Sequence, residues 1–152
     1  MATESIKAPL QIAYALADES GLHVPFLNEG ATTIYPGQEV FISGDQAVTK
    51  RTTGATFPIG VCTAKADTAK ETQVGMAKAG VLQIAKAIGS AVTAGVPLKP
   101  NGNVVLDADG NVTAIEYVLA VSGDVYMTVA TADAAQNAVF KALQLPFYTT
   151  LA

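Results

Sequence analysis

Turn-forming residues recur at short intervals along most of this chain, and their spacing limits the folds it can adopt. Gly and Pro favour turns because they adopt or fix backbone dihedrals that other residues avoid. From Tyr35 onward the turn signals are Pro36-Gly37, Ser43-Gly44-Asp45, Thr53-Gly54, Gly80, Gly95, Asp109-Gly110 and Ser122-Gly123-Asp124. Many short segments between closely spaced turns indicate a sandwich or a barrel rather than alternating strands and helices.

The segments between these turns have the residue types of strands. We predict strands at 39–43, 47–52, 59–65, 72–78, 81–85, 103–107, 111–115, 117–121 and 125–130. The predicted fold class is therefore mainly β. It is a small β-sandwich or β-barrel with extended N- and C-terminal arms and at most one or two short helices.

The two ends differ from this central region, so we predict three parts: an N-terminal arm over 1–34, a β-rich core domain over 35–130, and a short helix or turn with a C-terminal arm over 131–152. In the first arm, alternation favours an extended segment, although its Ala-rich spacing leaves a helix possible. Near the other end, Asp133 and the alanines after it indicate a helix within 131–143, and 90–95 forms a turn or short helix. Bulky apolar residues of both arms are predicted to contact a neighbouring subunit or another assembly partner: Leu10, Ile12, Tyr14, Leu16, Leu145, Phe147 and Tyr148.

Charge excludes several classes of partner. The chain has 13 acidic and 9 basic residues, a net charge of −4, which leaves no basic surface for nucleic acid. Only 14% of residues are charged, against about 25% in ordinary soluble domains, so we expect the surface to contact neighbouring subunits. We expect no membrane partner, because there is neither a classical signal sequence nor an apolar run of about 18 residues.

The residues that most often carry catalysis are scarce. His23, Cys62 and Arg51 are the single histidine, cysteine and arginine of the chain. A nucleophilic dyad, a multi-histidine metal site or a phosphate clamp needs more partners than these. Cys62 is interpreted as a small buried hydrophobic residue. We therefore predict that the chain is not an enzyme and has no catalytic residues, cofactor or metal.

One acidic segment partly matches a calcium-binding loop. In residues 107–111, Asp107, Asp109 and Asn111 occupy the first, third and fifth places of that loop. The glycine and the glutamate needed at the sixth and twelfth places are replaced by Val112 and Val118. Because the segment lies between two strand-like runs, a hairpin turn at Asp109-Gly110 is favoured.

Four motifs appear in a fixed order: Tyr35-Pro-Gly-Gln-Glu-Val, Pro58-Ile-Gly-Val-Cys, Thr72-Gln-Val-Gly-Met-Ala-Lys-Ala-Gly-Val, and Val92-Thr-Ala-Gly-Val-Pro-Leu. This set, covering roughly residues 35–129, resembles the small head-decoration, or capsid cement, proteins of tailed bacteriophages. The ends of the chain depart from the family's compact pattern.

The resemblance implies a homotrimeric β-rich module on the outer surface of a virion, made in the host cytoplasm, with the major capsid protein as its partner. Its implied function is to stabilise contacts between capsid subunits. Two alternatives remain open: another self-assembling virion component, such as a tail-tube or fibre-associated module, and a small trimeric β enzyme. The enzyme is disfavoured because Arg51 is the single arginine available for phosphate contacts.

Overall fold

A computed structural model describes residues 23–75 and 81–152 of the chain. It contains ten strands: β1 (His23–Asn28), β2 (Glu39–Gly44), β3 (Ala47–Lys50), β4 (Gly60–Cys62), β5 (Glu71–Gly75), β6 (Val81–Ala87), β7 (Pro97–Leu106), β8 (Val112–Leu119), β9 (Val125–Ala130) and β10 (Val139–Thr150). The described residues include no helix long and apolar enough to cross a membrane.

The ten strands form two closed five-stranded barrels with the same topology. Barrel 1 has the order β1-β3-β2-β4-β5, and barrel 2, followed from β6, has the order β6-β8-β7-β9-β10. In each barrel the first strand pairs in parallel with the third, as Leu27 with Ala47 and Ala85 with Ile115. The first strand is antiparallel to the fifth. The two barrels are therefore a structural repeat, which was not predicted from the sequence.

The two barrels also share a repeated corner. Each barrel contains one isolated bridge, Ile34 with Ala66 or Val92 with Ala134. Three residues after each of these four positions, the backbone has a positive φ: Gly37 (φ 93°), Ala69 (φ 60°), Gly95 (φ 87°) and Asn137 (φ 67°). The N–H of each of these residues donates to a carbonyl across the barrel, at Cys62, Asn28, Ala130 and Ala87 respectively. The same corner thus recurs four times in the chain.

Each barrel encloses its own core of alternate strand residues. Barrel 1 buries Ile34, Val40, Val48, Cys62 and Val74. Barrel 2 buries larger residues beside alanines that leave room for them: Leu98, Ile115, Tyr117 and Phe140 beside Ala85, Ala87, Ala130 and Ala142. Small residues suit these interiors because five strands enclose little volume.

The prediction of a mainly β chain is confirmed, and the barrel alternative occurs twice. The turn at Asp109-Gly110 is also confirmed, since Gly110 has φ 80° and joins the paired strands β7 and β8. The predicted strands 111–115 and 117–121 are one continuous strand, β8.

The structure differs from the predictions at both ends of the chain. Within the predicted N-terminal arm, His23–Asn28 is β1 and closes barrel 1 between β3 and β5. Of the helix or turn predicted within 131–143, the structure has the turn, which leads into β10, the strand that closes barrel 2. The alanines there resemble a helical pattern, but one of them, Ala142, lies inside the barrel, where small size rather than helix propensity matters.

Candidate interaction surface

A buried ion pair lies where the two barrels meet. Arg51 Nη1 donates to Glu39 Oε1 at 2.8 Å, and neither side chain is exposed to solvent. Both residues belong to barrel 1, but Arg51 Nη2 also donates to the carbonyl oxygen of Val125 in barrel 2, at 2.8 Å. Thr128 of barrel 2 donates to the other Glu39 oxygen at 3.4 Å. The single arginine of the chain is therefore used to join the barrels.

This polar junction continues into barrel 2 through Tyr117. The amide groups of Gln83 and Gln144 both donate to the Tyr117 hydroxyl, and all three side chains are buried. Burial, together with the nearby Glu39 charge, raises the pKa of Tyr117 far above its usual range. Burial also raises the pKa of the Glu39 carboxyl above its ordinary value of 4.5, although its contacts with Arg51, Thr128 and Tyr117 act in the opposite direction. Tyr117 therefore stays neutral and able to donate or accept.

Further contacts fix the barrels at the edge of the junction. Gln38 of barrel 1 donates to the carbonyl of Gly102 at 3.0 Å, and the N–H of Val125 donates to the carbonyl of Gly54 at 2.7 Å. Gly54 lies so close to Asp124 that an added Cβ would clash with the Asp124 carboxylate. These contacts place residues from both barrels on one continuous surface.

A bulge in β10 supplies part of that surface. Gln144 pairs with Thr128 of β9, but the next pair joins Thr149 with Tyr126, so β10 advances five residues while β9 advances two. The three extra residues lie between Gln144 and Thr149, where Pro146 also lacks the N–H needed for regular pairing. The bulge carries two exposed rings, Phe147 (60% exposed) and Tyr148 (48% exposed).

The bulge forms one wall of an apolar groove between the barrels. The groove has a volume of about 410 Å³ and is lined by Pro58, Ile59, Met127, Pro146, Phe147 and Tyr148. The rings of Tyr148 and Phe57 are 5.3 Å apart, which brings the two barrels into direct aromatic contact.

A second depression adjoins the groove and shares Ile59 with it. It has a volume of about 480 Å³ and is lined by Phe41, Ile42, Ala55, Thr56, Phe57 and Ile59. We call the lining of the groove and of this depression the apolar face. No charged residue lines either part, and Phe57 and Ile42 are 58% and 55% exposed. Exposed apolar residues gathered in one place are typical of a binding surface.

The structure places three of the seven predicted interface residues in β10. Phe147 and Tyr148 lie on the apolar face, and Leu145 is half-buried at the start of the bulge. Leu10, Ile12, Tyr14 and Leu16 lie outside the described residues.

The barrel 1 half of the apolar face was not predicted from the sequence. The sequence feature that indicated this half was the run Thr56-Phe-Pro-Ile, in which Phe57 and Ile59 lie one on each side of Pro58. Nothing in the sequence shows that this run meets residues 146–148, since almost ninety residues separate them.

Two residues considered for catalysis, Cys62 and His23, lie in strands of barrel 1. Cys62 is buried; its sulfur donates to the Ala64 carbonyl and contacts the Thr72 hydroxyl. Burial raises the pKa of the Cys62 thiol to about 11. His23 begins β1, with its backbone opposite Gly75. Across residues 23–75 and 81–152, no group of three or more His, Cys, Asp or Glu side chains could hold a metal ion.

Comparison with known proteins gives one solved structure to report, and neither a family model nor a curated protein matches this chain. That structure is the N base of head fiber gp8.5 from bacteriophage phi29. It is 18% identical, with a TM-score of 0.49, and the match covers 84% of this chain and 98% of the other.

Proposed function

We propose that this chain is a structural component of a bacteriophage virion that binds the outer surface of the assembled capsid through its apolar face. The observation that carries the proposal is the cluster of half-exposed aromatic and aliphatic side chains contributed by both barrels, with Phe57, Phe147 and Tyr148 at its centre. The order of motifs shared with capsid cement proteins supports the same class of function.

The free energy of binding depends on how much apolar area of this face a partner would cover. Fully burying an exposed side chain of this kind contributes roughly 1.5 to 3 kcal/mol before ordering costs, and about half of that remains available from each half-exposed ring. The Tyr148 ring already packs against Phe57, with 5.3 Å between the ring centroids, so part of the freedom of these two side chains is lost before binding. We further propose that the major capsid protein is the partner and that the chain acts as a homotrimer without enzymatic activity.

The first prediction concerns the rings of the bulge. Replacing Phe147 and Tyr148 together by serine removes apolar area from the face, so we expect binding to empty heads of the same virus to weaken by about tenfold or more. Co-sedimentation with purified heads over a range of protein concentrations measures this binding.

Val139→Ser is the matched control, because Val139 is 59% exposed on the same strand but lies opposite Lys86 at its other end. It should bind heads like the unaltered chain. Equal binding by all three proteins would overturn the role of the apolar face. Binding to isolated tails but not to heads would instead identify a tail component.

A further inference from the structure

The junction between the barrels joins two different surfaces. Barrel 1 contributes a surface that we call side A and that contains Gln38, Glu39 and Arg51. Barrel 2 contributes the surface that accepts hydrogen bonds from side A, which we call side B and which contains Gly102 and Val125. Because the two barrels have the same topology, barrel 2 has a counterpart of side A and barrel 1 has a counterpart of side B.

Backbone hydrogen bonds identify the counterpart of side A in barrel 2. In barrel 1, the N–H of Arg51 donates to the carbonyl of Glu39. In barrel 2, the N–H of Ala120 donates to the carbonyl of Pro97 at the same place in the fold. Two neutral, half-buried residues therefore stand where barrel 1 has its ion pair, and Val121, which follows Ala120, is 58% exposed. Side A of barrel 2 is thus apolar and partly exposed.

Strand pairing identifies the counterpart of side B in barrel 1. Ile42 and Pro100 each lie three residues after a side A counterpart, and each pairs with the third strand of its barrel. Residues 55–59 lead into β4, in the position that Val125 and its neighbours hold in barrel 2. In barrel 2 these positions are covered, since Pro100 is buried and Val125 is 5% exposed. In barrel 1 they form the second depression, where Ile42 and Phe57 are more than half exposed.

The two exposed counterparts match each other in size and in charge. Side A of barrel 2 has the small Ala120 in place of the long Arg51, whereas side B of barrel 1 carries the bulky Ile42 and Phe57. A loss of volume on one surface thus accompanies a gain on the other. The described residues that line the second depression are uncharged, and so are Ala120 and Val121. Contact between the two surfaces would bury apolar area without burying a charge.

We propose that side A of barrel 2 in one copy binds side B of barrel 1 in a second copy, in the arrangement that joins the two barrels within each chain. Each copy contributes one surface of each kind, so the contact is head-to-tail and adds copies until a ring closes. Closure after three copies gives the homotrimer; that number rests on the proposed function, whereas the contact itself does not. The groove beside Phe147 and Tyr148 is then the part of the apolar face that binds the capsid.

One charge substitution on each surface of the full-length chain tests this contact. Ile42→Glu alters side B of barrel 1, and Val121→Glu alters side A of barrel 2. Both side chains are more than half exposed, so the fold should tolerate the changes, and circular dichroism checks that it does. Val139→Glu is the matched control, because Val139 is 59% exposed and lies on neither surface. Sedimentation equilibrium over a range of concentrations measures the mass of each protein.

The unaltered chain and Val139→Glu should sediment as trimers. Each of the other two variants places a carboxylate in an apolar contact, so its dissociation constant should rise by about a hundredfold or more. An equimolar mixture of Ile42→Glu and Val121→Glu should form dimers and nothing larger, because one intact side A meets one intact side B. A surface that binds to itself would give a different result, since one substitution would break the contact and the other would not.

The contact would be overturned if the mixture stayed monomeric, or if either single variant sedimented like the unaltered chain. A ring of another size, or an open filament, that both single variants disrupt would keep the contact and refute the proposed number of copies. A monomeric unaltered chain would refute both the contact and the homotrimer. Co-sedimentation with heads then decides separately whether the chain binds the capsid.

Discussion

At the residue scale, the four corners show one backbone requirement met by different side chains. Gly37 and Gly95 adopt a positive φ without steric cost, but Ala69 does so against its Cβ. Asn137 is tolerated because Asn visits this region more readily than most residues. This variety conceals the repeat in the sequence, since a search for glycine at each corner finds two of four.

Exchanging Ala and Gly at equivalent corners should have opposite effects on stability. Ala69→Gly removes a cost of about 1 to 2 kcal/mol but adds about 0.5 to 1 kcal/mol of unfolded-state entropy, so we expect stabilisation of up to about 1 kcal/mol. Gly95→Ala meets no atom within 4 Å, so strain alone should destabilise it by about 1 kcal/mol. Urea unfolding measures both changes, and destabilisation by both variants would contradict the corner geometry.

At the element scale, strands bounded by clear turns were predictable and strands that close the barrels were not. Strand β9 agrees with its predicted bounds, 125–130, because Gly123 precedes it and its apolar residues stand out. Strand β1 was not predicted, because it is short and contains Pro25, a residue that is uncommon inside strands. Pairing across a closed barrel decided its structure, and local sequence does not report such pairing.

The β10 bulge allows a sharper test at this scale. Deleting residues 146–148 makes β10 and β9 advance equally between their two paired stretches, so we expect barrel 2 to close with a regular ladder. The shortened chain should unfold cooperatively, within about 2 kcal/mol of the unaltered protein, because no core residue is removed. It should also lose binding to heads. Urea unfolding followed by circular dichroism checks the first point, and loss of cooperative unfolding would show that the bulge is needed for the fold.

At the scale of the whole molecule, the junction between the barrels could not have been predicted. It joins Glu39 to Thr128, which are 89 positions apart in the sequence. It also contains the buried pair Arg51–Glu39, and nothing in the low overall charge of the chain indicated that these two charged residues would be buried. The junction also fixes the candidate site, since Phe57 of one barrel and Tyr148 of the other form the apolar face together. Half of that face was predicted, as bulky residues near the C-terminus, and half was not.

Replacing Arg51 in the buried pair tests how much the charge of Glu39 affects the stability of the fold. Arg51→Met leaves the Glu39 carboxylate buried without its cation, so we expect a loss of about 3 to 5 kcal/mol at pH 7. Burial already raises the pKa of Glu39 above 4.5, and removing Arg51 raises it further. A carboxyl whose pKa is higher in the folded chain than in the unfolded chain stabilises the fold when it is protonated. This contribution is fully present below the pKa of the unfolded chain, and it is lost as the pH rises through the pKa of the folded chain.

The deficit of Arg51→Met should therefore shrink as the pH falls from 7 towards 4.5, because the buried carboxyl of the variant takes up a proton. The double variant Glu39→Gln/Arg51→Met removes the titrating group, so it should recover part of the loss at pH 7 and show little further pH dependence relative to the unaltered chain. Urea unfolding of the three proteins at pH 7 and pH 5 measures these differences. A deficit that is the same at both pH values would mean that Arg51 joins the barrels mainly through the Val125 carbonyl, with the charge of Glu39 contributing little.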